Sequence, residues 1–254
     1  MKVLRVERLS KNFGGLRVLI DISLDVEVGE RVAIIGPNGA GKTTLFNVLS
    51  GELPASGGRI YLFGQNITGM PTYHRAQFGL SRSFQIIRLP FHLTVLDSIL
   101  LALHGLRPSR YQMFRPSTNY DKLLTAARKQ LELADLWEKK DNIVQDLSYG
   151  EQRKLGIVLS LVSEPKLLLL DEPSAGLDVG EIPVFTNTVR SLTKDTTTIF
   201  ACHDMDVVFG LADRVLVLYY GSIIAQGTPE EIQADPKVRE IYLGLEERPG
   251  AEVS

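Results

Sequence analysis

Residues 3–9 and 22–28 alternate apolar with polar side chains, the period of a strand with one wet face, and predict two strands joined through KNFGGLR. RVAII (31–35) is a short apolar run, as expected of a buried strand. GPNGAGKT then leads into a helix whose apolar positions are Leu45, Phe46, Val48 and Leu49, stopped by Gly51. RIYLF (59–63) predicts another strand, entered through the turn SGG.

From about 86 to 162 the rhythm changes to a helical one, with Leu123, Ala127, Leu131 and Ala134 on one face. HGLRPSRYQMFRPSTNY (104–120) carries two prolines and little periodicity, so a loop is expected there. Strand and helix then alternate again: LLLL (167–170), a helix near 181–193, TTTIFACH (196–203) and RVLVLYY (214–220). YYGSIIAQG predicts a turn and a return strand. TPEE (228–231) is a capping box with Pro229 at the first helical position, and the tail EERPGAEVS should be loose. This order predicts an α/β chain with a parallel core sheet and an inserted helical subdomain at about 86–162.

Composition narrows the class without naming it. A chain of 254 residues buries roughly 70–75% of its unfolded surface and needs no disulfide staple. The single cysteine, Cys202, permits no internal disulfide and fits a reducing compartment. With 28 basic and 30 acidic residues, the net charge of −2 gives no reason to expect bulk nucleic-acid binding. No apolar run reaches the length of a membrane span, and MKVLRVERLSKNF lacks the apolar core of a signal peptide. A soluble protein is expected, one that can still dock on a membrane protein.

The chemistry concentrates in a few short stretches. GPNGAGKT (36–43) matches G-x-x-x-x-G-K-[ST] in the context the motif requires, after a strand and opening a helix. Gly36, Gly39 and Gly41 let the backbone turn its N–H groups toward phosphate oxygens, Lys42 reaches the β- and γ-phosphates, and Thr43 offers a hydroxyl to Mg²⁺. KLLLLDEP (166–173) is a buried strand ending in two acids, where Asp171 suits a Mg²⁺ site and Glu172 suits a general base toward a water. His203 ends the next strand and suits a hydrogen bond to a γ-phosphate or a catalytic water. Cys202 beside it is most simply a small buried hydrophobe, and no Cys/His set has zinc-ligand spacing. Gln85 follows an arginine-rich strand-like stretch and offers a neutral oxygen.

LSYGEQ (147–152) has two readings. Ser148 and Glu151 form the S-x-x-E capping box ahead of a helix with Leu155, Val158, Leu159 and Val162 on its apolar face. A helix N-terminus is also an anion site, and Gly150 leaves room for close approach.

Phosphate loop, Gln85, LSYGEQ, LLLLDEP, SAGLD (174–178) and His203, in that order, resemble the ATP-binding-cassette ATPases over about residues 3 to 244. The resemblance implies a phosphate-loop fold with a RecA-like core, an antiparallel β subdomain and the inserted helical subdomain, with residues 1–244 as a single domain and 245–254 as tail. It implies ATP and Mg²⁺. ATP would be held by Gly36, Pro37, Asn38, Gly39, Ala40, Gly41, Lys42, Thr43 and Thr44, with Phe13 stacked on adenine; the alternative for Phe13 is a hairpin hydrophobe. Thr43, Gln85 and Asp171 would hold the metal, and Glu172, His203, Gln85 and Lys42 would serve catalysis. Two cassettes would pack head to tail, so that Ser148 and the N–H of Gly150 meet a γ-phosphate held by the other copy, while Asp178 bridges the two sites.

Tyr149 and Glu151 depart from the family's LSGGQ signature. Tyr149 falls at the first helical position, where negative φ suits any residue. An ionised Glu151 accepts hydrogen bonds but donates none, so it is expected to turn back to its own cap. Within the family, FGLSRSFQIIRLPFHLTVLDSIL, CHDMDVVFGLADRVLVLYYGSIIAQGTPEEI and DPKVREIYLG look like the ATPases of branched-chain amino acid importers, of the type whose His is followed by Asp-Met. LPFH after Arg88 departs from the expected LFxxM. That branch implies two permease subunits, a second ATPase subunit or a second copy, a soluble binding protein acting indirectly, no nucleic acid, and a peripheral place on the cytoplasmic face of the plasma membrane. Importers of urea or short amides and a lipopolysaccharide exporter are near relatives of that branch, and a soluble non-transport cassette is the alternative of a different class.

Overall fold

A computed structural model describes residues 1–83, 89–105 and 120–246. Gln85, most of the expected loop at 104–120 and the tail from 247 lie outside the described residues. A six-stranded sheet runs β10–β9–β3–β8–β7–β6, built from β3 (Arg31–Ile35), β6 (Leu80–Ser83), β7 (Leu167–Asp171), β8 (Thr197–Ala201), β9 (Arg214–Tyr219) and β10 (Ser222–Gly227). Five of these strands are parallel, and β10 returns antiparallel along the edge as the turn YYG predicts.

The parallel strands are apolar throughout because both of their faces are covered. Alternate residues go to two cores. Ala33, Ile35, Leu168, Leu170, Phe200 and Val217 join the side of α5 (Tyr149–Leu161), α6 (Ile182–Leu192) and α7 (Met205–Leu211). Val32, Ile34, Leu167, Leu169, Ile199 and Leu216 join α1 (Lys42–Ser50) and the second sheet.

That second sheet is antiparallel, ordered β2–β1–β4–β5 from β1 (Lys2–Phe13), β2 (Leu16–Glu27), β4 (Gly57–Leu62) and β5 (Gln65–Asn66). Here the chain departs from expectation. KNF and LR are not a connecting loop: Asn12 pairs with Arg17 and Phe13 with Leu16, so both strands run on to a two-residue Gly14–Gly15 turn. The fourth strand starts two residues early and ends at Leu62, because Phe63 turns out of it at φ 49.

Between the two β regions lie α2 (Thr72–Gln77), α3 (Val95–Gly105) and α4 (Tyr120–Leu133). Ala127, Leu131 and Ala134 are fully buried in the first core, as their spacing predicts. The chain closes with α8 (Pro229–Ala234), which has the expected capping box, and α9 (Pro236–Glu246).

One buried cation holds α1 from behind. Arg75, on α2, is 2% exposed and donates to the carbonyls of Val48 (2.8 Å), Leu49 (2.7 Å), Thr68 (2.9 Å) and Met70 (2.8 Å). Two of these are carbonyls at the end of α1, where Val48 O also accepts from the cap residue Gly51 N (3.2 Å).

Candidate functional site

The loop between β3 and α1 is shaped by glycines at positions no other residue fits. A Cβ on Gly36 would fall 2.1 Å from the Leu218 carbonyl oxygen of β9. Gly41, the residue before α1, has φ 107, and its Cβ would fall 3.0 Å from both Leu19 and the Val18 carbonyl of β2. The loop is thus wedged between the parallel sheet and the β1–β2 hairpin. Gly221 N donates to Ala40 O (3.0 Å) and Ile20 N to Gly221 O (2.8 Å), so the β9–β10 turn ties loop and hairpin together.

Lys42 is buried, and its ammonium donates to the carbonyls of Gly36 (2.7 Å) and Pro37 (3.3 Å). Thr43 and Asn38 are exposed, and no acidic residue stands in the first turn of α1. A helix N-terminus with a lysine across it and no competing carboxylate of its own suits a polyanion.

The ends of β7 and β8 supply the acids. Asp171 is 1% exposed, and its Oδ2 accepts from Arg82 Nη2 at 2.9 Å. Burial pushes its carboxyl above the ordinary aspartate range, while Arg82 pulls the other way. Arg82 reaches it from β6 and is itself held by Asn47 Oδ1 (2.6 Å), Ser50 Oγ (3.2 Å) and Glu52 Oε1 (3.3 Å). Oδ1 of Asp171 is buried with no hydrogen-bond partner among the described residues. An orphaned buried carboxylate oxygen, on a strand packed against the helix that carries the exposed Thr43, is the hard-oxygen chemistry Mg²⁺ takes.

Glu172 has φ 48, a left-handed conformation costing of order 1–3 kcal/mol for a residue with a side chain. It is held there from three sides. Its N–H donates to Ala201 O (2.9 Å), its carbonyl accepts from Ala175 N (3.2 Å), and Oε2 lies 2.6 Å from His203 Nδ1. The β7–β8 register sets Asp171 opposite Ala201, so the residues just past the two strand ends meet. Glu172 is nearly buried while His203 is exposed, leaving the pair open on the imidazole side. A buried carboxylate joined to an exposed imidazole can accept a proton from water and orient an acceptor beside it. Cys202 is fully buried against Ser174 Oγ (3.4 Å), and burial pushes its thiol up to about 11, so it behaves as the small hydrophobe expected.

Ser148 and Gly150 lie at the start of α5. The capping box is present in full, with Ser148 N donating to Glu151 Oε2 (3.0 Å) and Glu151 N to Ser148 Oγ (3.3 Å). Glu151 also pairs with Lys139. Burial opposes the charge on Glu151, but Lys139 and the Ser148 N–H outweigh it and hold the carboxyl below its ordinary range. Ser148 is exposed. The side of Gly150 that a Cβ would occupy is closed by its own chain: a Cβ there would lie 3.3 Å from Leu177 and 3.4 Å from Glu181. Asp178 is exposed on the same surface. Phe13 stands half exposed at the hairpin tip with the Lys11 ammonium 4.9 Å from its ring centroid.

The structure thus gathers the glycine loop, Lys42, Asp171 and the Glu172–His203 pair at one end of the parallel sheet, and Ser148, Gly150 and Asp178 at a second surface. Sequence reasoning missed Arg82, whose signal was a lone charge among small residues in a strand paired to buried β7 (Arg82 opposite Leu169).

The comparisons agree with this geometry. The family model described as "ABC transporter" matches residues 19–175, and that of the "Branched-chain amino acid ATP-binding cassette transporter" matches residues 222–247. The high-affinity branched-chain amino acid transport ATP-binding protein LivG of Salmonella typhimurium is 37% identical over 95% of this chain and 98% of its own. Its counterpart BraF of Pseudomonas aeruginosa is 35% identical over 95% and 98%. The crystal structure of the ADP conformation of an ATP-binding cassette of an ABC transporter superposes with a TM-score of 0.83, at 32% identity, over 96% of this chain and 99% of that one. With loop, acids and fold all in agreement, the chain belongs to the ATP-binding-cassette transporter ATPases.

Proposed function

We propose that this chain is the ATP-hydrolysing subunit of an importer for branched-chain amino acids. The observation that carries the chemistry is that the Glu172–His203 pair and the glycine loop follow the same ends of the neighbouring parallel strands β7, β8 and β3. ATP lies along Gly36–Thr44 with its phosphates on the N-terminus of α1 and its adenine against Phe13. Lys42 exchanges its loop carbonyls for phosphate oxygens. Glu172 accepts the proton of the water that attacks the γ-phosphorus as the bond from that phosphorus to the bridging oxygen breaks and ADP leaves, and His203 donates to the γ-phosphate. Thr43, Asp171 and Gln85 would hold Mg²⁺, which would neutralise charge on the phosphates.

The exposed face with Ser148 and Asp178 completes the site of a second cassette packed head to tail, a second copy or a related ATPase subunit. Two permease subunits bind the pair at the cytoplasmic face of the membrane, and an external binding protein delivers the solute to them. Among the described residues no helix is long and apolar enough to cross a membrane, so the chain relies on those permeases to act there. The choice of solute is supported by the match at 222–247 and by the names of the full-length relatives.

The test is a pull-down of the tagged Glu172→Gln chain from detergent-solubilised native membranes with partners identified by mass spectrometry. Two polytopic permeases and a cassette partner are expected, with uptake of leucine, isoleucine or valine lost on deletion. Recovery of ribosomes or nucleic-acid proteins in their place overturns the assignment.

A further inference from the structure

Tyr149, where the family signature has glycine, is half exposed at the first position of α5, yet its ring is engaged within its own chain. A Cβ built on Gly176 would lie 2.8 Å from Tyr149 Cε1 and 3.3 Å from its hydroxyl, so ring and loop are in close contact. The Arg153 guanidinium stacks on the ring at 4.9 Å from the centroid, donates to the Tyr149 hydroxyl, and donates to Ala175 O at 3.3 Å. Gly150 packs on Leu177. Three successive loop residues, Ala175, Gly176 and Leu177, are therefore met by Arg153, Tyr149 and Gly150 of α5. The same loop starts on Glu172 through the Ala175 N to Glu172 O bond, and ends where Asp178 N donates to Glu181 Oε2 (3.1 Å).

We infer that Tyr149 is a positioning residue, clamping the 174–178 loop to the start of α5 so that Glu172, Asp178 and Ser148 move as one body. The aromatic ring supplies what a glycine there lacks: a rigid surface shaped to Gly176 and a platform for Arg153. The role rests on the assignment of Glu172 and Asp178 to hydrolysis and acts through them, since Tyr149 touches no reacting atom.

The experiment is steady-state ATPase of the full chain in its assembled transporter, as a double-mutant cycle of Tyr149→Ala with Asp178→Ala. Tyr149→Ala should lower kcat by roughly tenfold or more, since misplaced catalytic groups are costly. KM for ATP should stay within about twofold, because the phosphate loop is untouched. The double variant should fall no lower than the worse single, as coupled sites are non-additive. Tyr149→Phe, which keeps the ring on Gly176 and under Arg153, should retain at least about half of kcat. Tyr149→Leu, which restores part of the apolar bulk without a flat face, should resemble the alanine variant, which shows that the flat ring and not apolar bulk alone is needed. Tyr149→Ala at parental kcat, a KM effect alone, or losses that multiply in the double variant overturn the clamp. Glu172→Gln, run alongside, judges the catalytic assignment separately: parental turnover there strikes that assignment, while the clamp stands or falls on the cycle.

Discussion

The two functional surfaces are built by opposite means. At the phosphate loop the groups are buried and held inside the chain: Lys42 (8% exposed) by loop carbonyls, Asp171 (1%) by Arg82, and Glu172 (9%) by the Ala201 carbonyl and His203, while Gly36 and Gly41 leave no room for a side chain. At the start of α5 the groups are exposed and fixed by side chains, with Tyr149 46% exposed and the cap held by Ser148 and Glu151. The first surface satisfies its charges inside one chain. The second leaves Ser148 and Asp178 facing outward, a surface whose use lies against another body. A buried, pre-set centre gives chemistry its geometry, and an exposed one can be joined and released.

Substitutions can break this contrast. Arg82→Leu should act most strongly, costing about 3–5 kcal/mol by leaving Asp171 charged and unpaired in the core, read from urea unfolding. The double variant Arg82→Leu/Asp171→Leu should recover part of that loss, since removing both partners abolishes the uncompensated charge. Next, Glu172→Gln should keep ATP binding and lower phosphate release by about a hundredfold or more. Near-parental turnover would sink the assignment of the base. Lys42→Ala should then weaken ATP binding by about tenfold or more in calorimetric titration, through loss of charge-assisted bonds.

The exposed surface should respond less. Ser148→Ala removes one N-cap acceptor and should cost about 1 kcal/mol of stability, with ATP binding at the loop unchanged in the same titration. The smallest effect is expected of Glu151→Gln, and it should depend on pH. The folded chain holds Glu151 ionised more readily than the unfolded chain does, so its contribution is complete above the ordinary glutamate value and fades as pH falls through the depressed one. The gap between the two urea midpoints should close over that window. A gap that widens in acid would reverse the sign assigned to Lys139.

What could be read in advance follows from how local each demand is. The phosphate loop was legible because its backbone requires Gly36 and Gly41 at fixed places. The parallel strands were legible because burial on both faces leaves apolar runs such as 167–170. The hairpin was drawn too short, since polar residues such as Asn12 and Arg17 pair across an exposed ribbon without an apolar signal. Glu172 and His203 each stood out, but their bond depends on the β7–β8 register, which no local pattern carries. Arg82 was missed for the same reason, as its partner Asp171 lies far along the chain.

Arg75 carries one more consequence. Burial lowers its guanidinium to about 10, which leaves it charged at neutral pH on the last carbonyls of α1. A bare helix has opposed poles, and the potential of such a pair fades with the square of distance. A fixed cation at the C-terminal pole offsets its partial negative charge, so the positive N-terminal pole of the nine-residue α1 is opposed less. A side chain that no ligand can touch therefore contributes to the field in which the phosphate loop sits.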